Sequence, residues 1–184
     1  MAIIWYREKM NSVFVNRIIR ACKLDASLYE EVEADKLATT QAGIVVVLSI
    51  VALGVGTFFT YGSFSLLIPI LAALAGWFVT SLLIYFVGAK LFPDKNTQSN
   101  LGELLRTIGF SYSPGLIRIF GFNQDLLVIT FFGSGIWSLI AMIIAVRQAL
   151  DYQSTWRAVG VVLIVALFQA YVAFKLGIMP SGDF

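Results

Sequence analysis

The chain has 184 residues, 59% hydrophobic and 13% charged, with a net charge of +2; a soluble fold of this size cannot hide so much apolar surface, and the charge is too small to point to nucleic acid. It holds no histidine and a single cysteine, Cys22, which excludes imidazole as metal ligand, haem ligand, triad base or pH sensor, and excludes an internal disulfide.

The N-terminus carries Trp5-Tyr6-Arg7-Glu8-Lys9 where a cleavable signal needs a clean apolar run, so the mature chain is expected to begin at Met1. From Lys9 to Lys23, helical spacing places Met10, Phe14, Ile18 and Cys22 on one side, joined by Val15 and Ile19, with Lys9, Ser12, Asn16, Arg20 and Lys23 opposite. This predicts a cytoplasmic amphipathic helix in the headgroup plane, its basic residues meeting anionic lipid. A helix packed on the chain's own cytoplasmic loops is the alternative. The sign of the charge then reverses. Asp25 is a candidate N-cap for a short turn through Tyr29, and Glu30, Glu31, Glu33 and Asp35 follow. No spacing here matches a calcium loop, and the run reads as a solvated acidic connector closing a first region, residues 1–36.

Leu37 to Ala89 contains no charged side chain over 53 residues, with Tyr61-Gly62-Ser63 near its middle. As one helix it would measure roughly 80 Å against a hydrocarbon core of about 30 Å, so it must double back. The first span is expected at about 41–60 after Thr39-Thr40, and the second at about 66–89, where Ala72, Gly76 and Thr80 form a face that another helix can approach closely. The polar loop 92–100 reads as a connector, with Ser99 or Asn100 capping the next helix. The fourth span is expected at 126–146 and carries Gly133-Ser134-Gly135 as a packing notch; the fifth, about 158–178, carries Ala166, Ala170, Ala173 and Gly177 as a stripe, and Gln169 as an interhelical hydrogen bonder.

The third span, 104–122, is short and interrupted by Pro114, which would leave the Phe110 carbonyl unpaired beside Ser111 and Ser113. Arg106 and Arg118 bracket it and are expected to snorkel to opposite interfaces. With five spans and a cytoplasmic N-terminus, eleven of the thirteen basic residues fall inside; with a re-entrant third segment the tally is the same, so charge bias does not choose between the two. The membrane region is therefore 37–178, followed by a short polar tail, 179–184.

The string from Leu24 through Asp25, Tyr29, Glu30 and Glu31 to Asp35, leading into an apolar hairpin, resembles the lead-in segment of bacterial Yip1-domain proteins. Gly109-Phe110-Ser111-Tyr112-Ser113-Pro114 resembles that family's third membrane segment, with Phe110 where Tyr is common. The resemblance implies an all-α polytopic protein of five transmembrane helices, the third short and Pro-kinked, in a bacterial cytoplasmic (inner) membrane with the N-terminus cytoplasmic. It brings no assigned reaction. Eukaryotic relatives bind small GTPases and act in vesicle traffic, but their N-terminal Asp-Leu-Tyr-Gly-Pro motif is not present in this sequence, so that activity is not carried over.

The expectation is a non-enzymatic membrane interaction protein, a scaffold or accessory subunit, with no cofactor; its partners are the lipid bilayer and other membrane proteins or a second copy, not nucleic acid. The rival is a small permease or channel with a polar path of Arg106, Ser111, Tyr112, Ser113, Arg118 and Gln169 around the helix broken at Pro114.

Overall fold

The computed structural model describes residues 2–62 and 65–176, with side chains from Ser12 onward. Gly177 and the tail 179–184 lie outside the described residues. Seven α-helices occur among the described residues: α1 (Ala2–Cys22), α2 (Ala26–Ala34), α3 (Ala38–Tyr61), α4 (Leu67–Ile84), α5 (Leu101–Ser111), α6 (Gln124–Ala149) and α7 (Thr155–Lys175). Two of them change winding: α4 continues as a π-helical stretch, Tyr85–Leu91, and α5 as a 3-10 stretch, Ser113–Phe120. Among the described residues, four helices are long and apolar enough to cross a membrane: α3, α4 with its continuation, α6 and α7.

The helix ends follow local chemistry. Asp25 caps α2 by accepting from the Ser27 amide. Asn100 and Glu103 form a reciprocal capping box at the start of α5, which satisfies two of the orphan amides of a first turn. Glu103 is thereby engaged with Asn100 and not with Arg106. Asn123 caps α6 by accepting from the Leu126 amide. The first span begins earlier than expected, at Ala38, so Thr39 and Thr40 lie inside α3 and no side chain caps it. Gly62 ends α3 in the left-handed conformation, φ 67°, its amide donating to the Phe58 carbonyl.

The third segment differs most from expectation. It is not one kinked α-helix: α5 stops at Ser111, and Pro114 at the second position of the next stretch sets the tighter 3-10 winding. The Ser111 hydroxyl donates to the Ile108 carbonyl at 2.7 Å, and the Ser113 hydroxyl is buried without a protein partner among the described residues. This rod runs beside α3 at close range. A Cβ added at Gly109 would lie 2.5 Å from Ala42 Cβ, and one at Gly115 would lie 2.0 Å from Ser49 Oγ. Farther along, one at Gly56 of α3 would lie 2.6 Å from the Arg118 carbonyl, and the Thr60 hydroxyl is 3.2 Å from the Gly121 carbonyl. Each step along the rod is matched by a step along α3 in the same direction.

The opposite end gathers the other connections. Gln148 at the end of α6 donates to Glu30 of α2 at 2.8 Å, and the Thr97 hydroxyl donates to the Leu150 carbonyl at 3.0 Å. The Tyr152 hydroxyl lies 2.9 Å from the carbonyls of Gly88 and of Phe92, groups that the π-helical stretch presents. Thus α2, the 92–100 loop and the α6–α7 turn share one end, and Thr60 and Gly121 share the other. Two buried clusters fill the bundle. One joins Ile84, Leu104, Ile108, Val146 and Val161; the other joins Leu28, Tyr29, Ala42, Val45 and Phe110.

Candidate functional site

Two polar assemblies stand out from the apolar bulk. The first is a clamp between α1, α2 and α3. Arg17, only 6% exposed, reaches Glu31 at 2.9 Å through Nε, Gln41 at 2.8 Å through Nη1 and Asp35 at 2.9 Å through Nη2. Arg20 binds Asp25 at 2.8 Å and also Glu31. The Arg20 guanidinium beside Asp25 holds that carboxyl down at about 2. The acidic run is therefore the counter-charge of the basic helix, and it is not a free connector.

That pairing changes the reading of α1. Phe14 and Ile18 pack on the second cluster, and α1 crosses α5 and the start of the 3-10 stretch. Val15 and Ile19 remain exposed, at 53% and 48%, while Arg17 and Arg20 spend their charge on the chain's own carboxylates. Met10 and Lys9 lie among the residues whose side chains are not described. Tyr29 is fully buried, its phenol pushed up by burial. Sequence reasoning left Arg17 out of both faces of α1. The signal was available: carboxylates at Glu31 and Asp35 repeat at i,i+4 and present two acceptors on one face of the chain to a single cation.

Arg106 belongs to this same layer, at the α2 end of the bundle. It is buried and donates through Nε to the Val32 carbonyl at 3.0 Å and to the Glu33 carbonyl at 3.1 Å. Both acceptors are among the orphan carbonyls at the end of α2, so Arg106 caps that helix from outside. The Glu33 carboxyl gains little from this. Burial, with Glu103 and Asp151 nearby, pushes it up to about 7.

The second assembly lies inside the bundle. Arg118 does not reach outward to an interface: its Nε donates to Ser134 Oγ on α6 at 2.7 Å, and its guanidinium lies 5.0 Å from the centre of the Phe131 ring. The 26 residues of α6 make about 39 Å of helix, so Ser134 lies about 10 Å below the nearer edge of a centred hydrocarbon core. Among the described residues no carboxylate is within ion-pair distance of Arg118. Ser49, Tyr112, Arg118 and Ser138 converge on a cavity of about 270 Å³ with apolar walls. Ser138 Oγ is buried with no protein partner among the described residues. Beside it, Tyr112 meets Thr80, which accepts from Gln169 Nε2 at 2.9 Å.

The expected site residues thus separate. Tyr112, Arg118, Thr80 and Gln169 come together, Ser111 and Ser113 stay in the rod, Pro114 sets its winding, and Arg106 is elsewhere. Ser134 was read only as part of a glycine notch; its role as the arginine's acceptor had no signal in the sequence. The glycines beside it do not make the contact. Gly133 is exposed, and a Cβ at Gly133, Gly135 or Gly76 would meet nothing within 4 Å. Ala72, Gly76, Ala166 and Ala170 also face outward.

No curated protein and no solved structure matches the chain. The family model of the Yip1 domain, however, matches residues 26–176, from the first turn of α2 to the end of α7, and so takes in the acidic half of the clamp, the Arg106 cap and the Arg118 cavity; this chain belongs to the Yip1-domain family.

Proposed function

We propose that the chain is a non-enzymatic membrane interaction protein, which docks helices of another membrane protein or of a second copy on its lipid-facing small-residue surfaces. One observation carries this: the close contacts inside the bundle use Gly56, Gly88, Gly109 and Gly115, whereas Gly76 and Gly133 are open and exposed. Apolar attraction between helices is absent in lipid, so a smooth face of small residues is the feature that lets a further helix approach. Substituting Gly76→Leu or Gly133→Leu fills only open space and leaves the bundle intact. Extraction in lipid nanodiscs is expected to return a stoichiometric second membrane chain with the wild type and to lose it with these variants. A monomer from the wild type overturns the reading.

The topology that goes with it has five crossings, with the N-terminus in the cytoplasm. Eleven residues of α5 and eight of 3-10 winding together extend about 32 Å, close to the thickness of the hydrocarbon core. The rod keeps pace with α3, and the α6–α7 turn touches α2 and the 92–100 loop. In a Cys22→Ser background, Asn123→Cys should react with an impermeant thiol reagent from outside and Ser154→Cys only after lysis. The reverse pattern would support re-entry instead.

A further inference from the structure

We infer that the Arg118 cavity binds the single anionic head group, carboxylate or phosphate, of an amphiphile that enters from the bilayer between α4 and α6. A cation about 10 Å inside the hydrocarbon is costly without a counter-charge, and Arg118 has only a hydroxyl and a ring face among the described residues. A guanidinium offers five donors in a planar fork suited to a carboxylate or phosphate. One of them is taken by Ser134. Ser138 adds an unsatisfied hydroxyl on the same cavity, so two independent groups, the guanidinium and this hydroxyl, call for an oxygen-bearing ligand.

The surroundings select the source. Val46, Ile50, Leu139 and Met142 make the walls apolar, which suits a hydrocarbon tail and repels a fully hydrated ion. Helices α4 and α6 both pack on α3 without packing closely on one another, and exposed Leu139 lies at the rim. The opening is therefore lateral, to lipid. At about 270 Å³ the cavity is below the roughly 300–1,000 Å³ of sites that enclose a whole drug-sized ligand. It takes the head and the first part of one chain, with the rest of the tail in the bilayer. This site is separate from the docking faces at Gly76 and Gly133.

The test uses the full chain in phosphatidylcholine nanodiscs, a long-chain fatty acid carrying a diazirine, the matching fatty alcohol, and butyrate as a soluble competitor. Illumination is expected to label α6 between Ser134 and Met142, with about tenfold more label from the acid than from the alcohol, the difference that a charge-assisted hydrogen bond makes. Arg118→Gln should abolish that preference and Arg118→Lys should retain it. Ser138→Phe fills the cavity and should remove the label while the elution volume of the protein is unchanged, which guards against a misfolded arginine variant. Equal labelling of the wild type by acid and alcohol overturns the proposal. So does full competition by butyrate, which would assign the cavity to a soluble anion.

Discussion

Arg106 and Arg118 lie in one segment, twelve residues apart, and they meet opposite surroundings. Arg106 ends in a layer where carbonyls at the end of α2 take its protons, and where Arg17 and Arg20 share Glu31, Asp35 and Asp25. Arg118 ends among apolar walls, with a serine and a phenylalanine ring. At the α2 end Arg17, Arg20 and Arg106 are consumed in holding α1 and α2 to the bundle. In the membrane layer Arg118 has no carboxylate partner among the described residues. A protein that spends its polar groups so completely on one side, and leaves one uncompensated where that is most costly, has placed its ligand chemistry in the membrane.

The contrast is broken most directly in the membrane layer by Gly115→Val. The new Cβ would fall 2.0 Å from Ser49 Oγ, and neither the rod nor α3 can withdraw without disturbing the cavity. A loss of about 3 kcal/mol is expected, at the upper end for overpacking, read as a lowered midpoint of unfolding in mixed detergent. Next in size is Arg17→Ala at the α2 end. It strands Asp35 and leaves Glu31 with Arg20 alone, both carboxylates being partly exposed, so the cost is expected near 2 kcal/mol, below that of breaking a fully buried pair. Arg20→Ala, at a more exposed site, should cost about 0.5 kcal/mol. Equal losses at Arg17 and Arg20 would show that the clamp is not organised around the buried arginine.

Much of the fold was legible in the sequence because bilayer thickness is a strict ruler. The 53 uncharged residues had to make a hairpin, and Asp25 and Asn100 announced their helices by cap chemistry alone. Contact partners were not legible in this way. Small-residue spacing tells which face can be approached but not by what, so it did not say that Gly76 and Gly133 are open within the chain while Gly109 and Gly115 carry the close contacts. The direction of Arg118 was lost for a related reason. Each 3-10 residue turns about 20° more than an α-helical one, so five residues after Ser113 swing the side chain about 100° from its α-helical bearing. An expectation of outward snorkelling assumed the wrong helix.

The smallest expected effect tests whether the layer at the α2 end has a weak point. Glu33 is the candidate, because burial and the nearby Glu103 and Asp151 raise its carboxyl from 4.5 to about 7, against a partial offset from Arg106. Between these values the folded chain holds a proton that the unfolded chain has released, so stability falls as pH rises through the window. Below it both states are protonated and the penalty vanishes. Above it the penalty is complete, about 1 kcal/mol once solvent screening at a half-buried site is allowed for. Glu33→Gln should therefore leave the unfolding midpoint unchanged near pH 4.5 and raise it at pH 7.5, about half a unit beyond the window on the alkaline side. Asp25 does not confuse the measurement. Its carboxyl is held down at about 2, so its contribution is lost only as the pH falls from about 4 toward 2. A wild-type midpoint that is flat from pH 4.5 to 7.5 would mean that Arg106 neutralises Glu33 fully, and that the layer at the α2 end is closed at Glu33 as well.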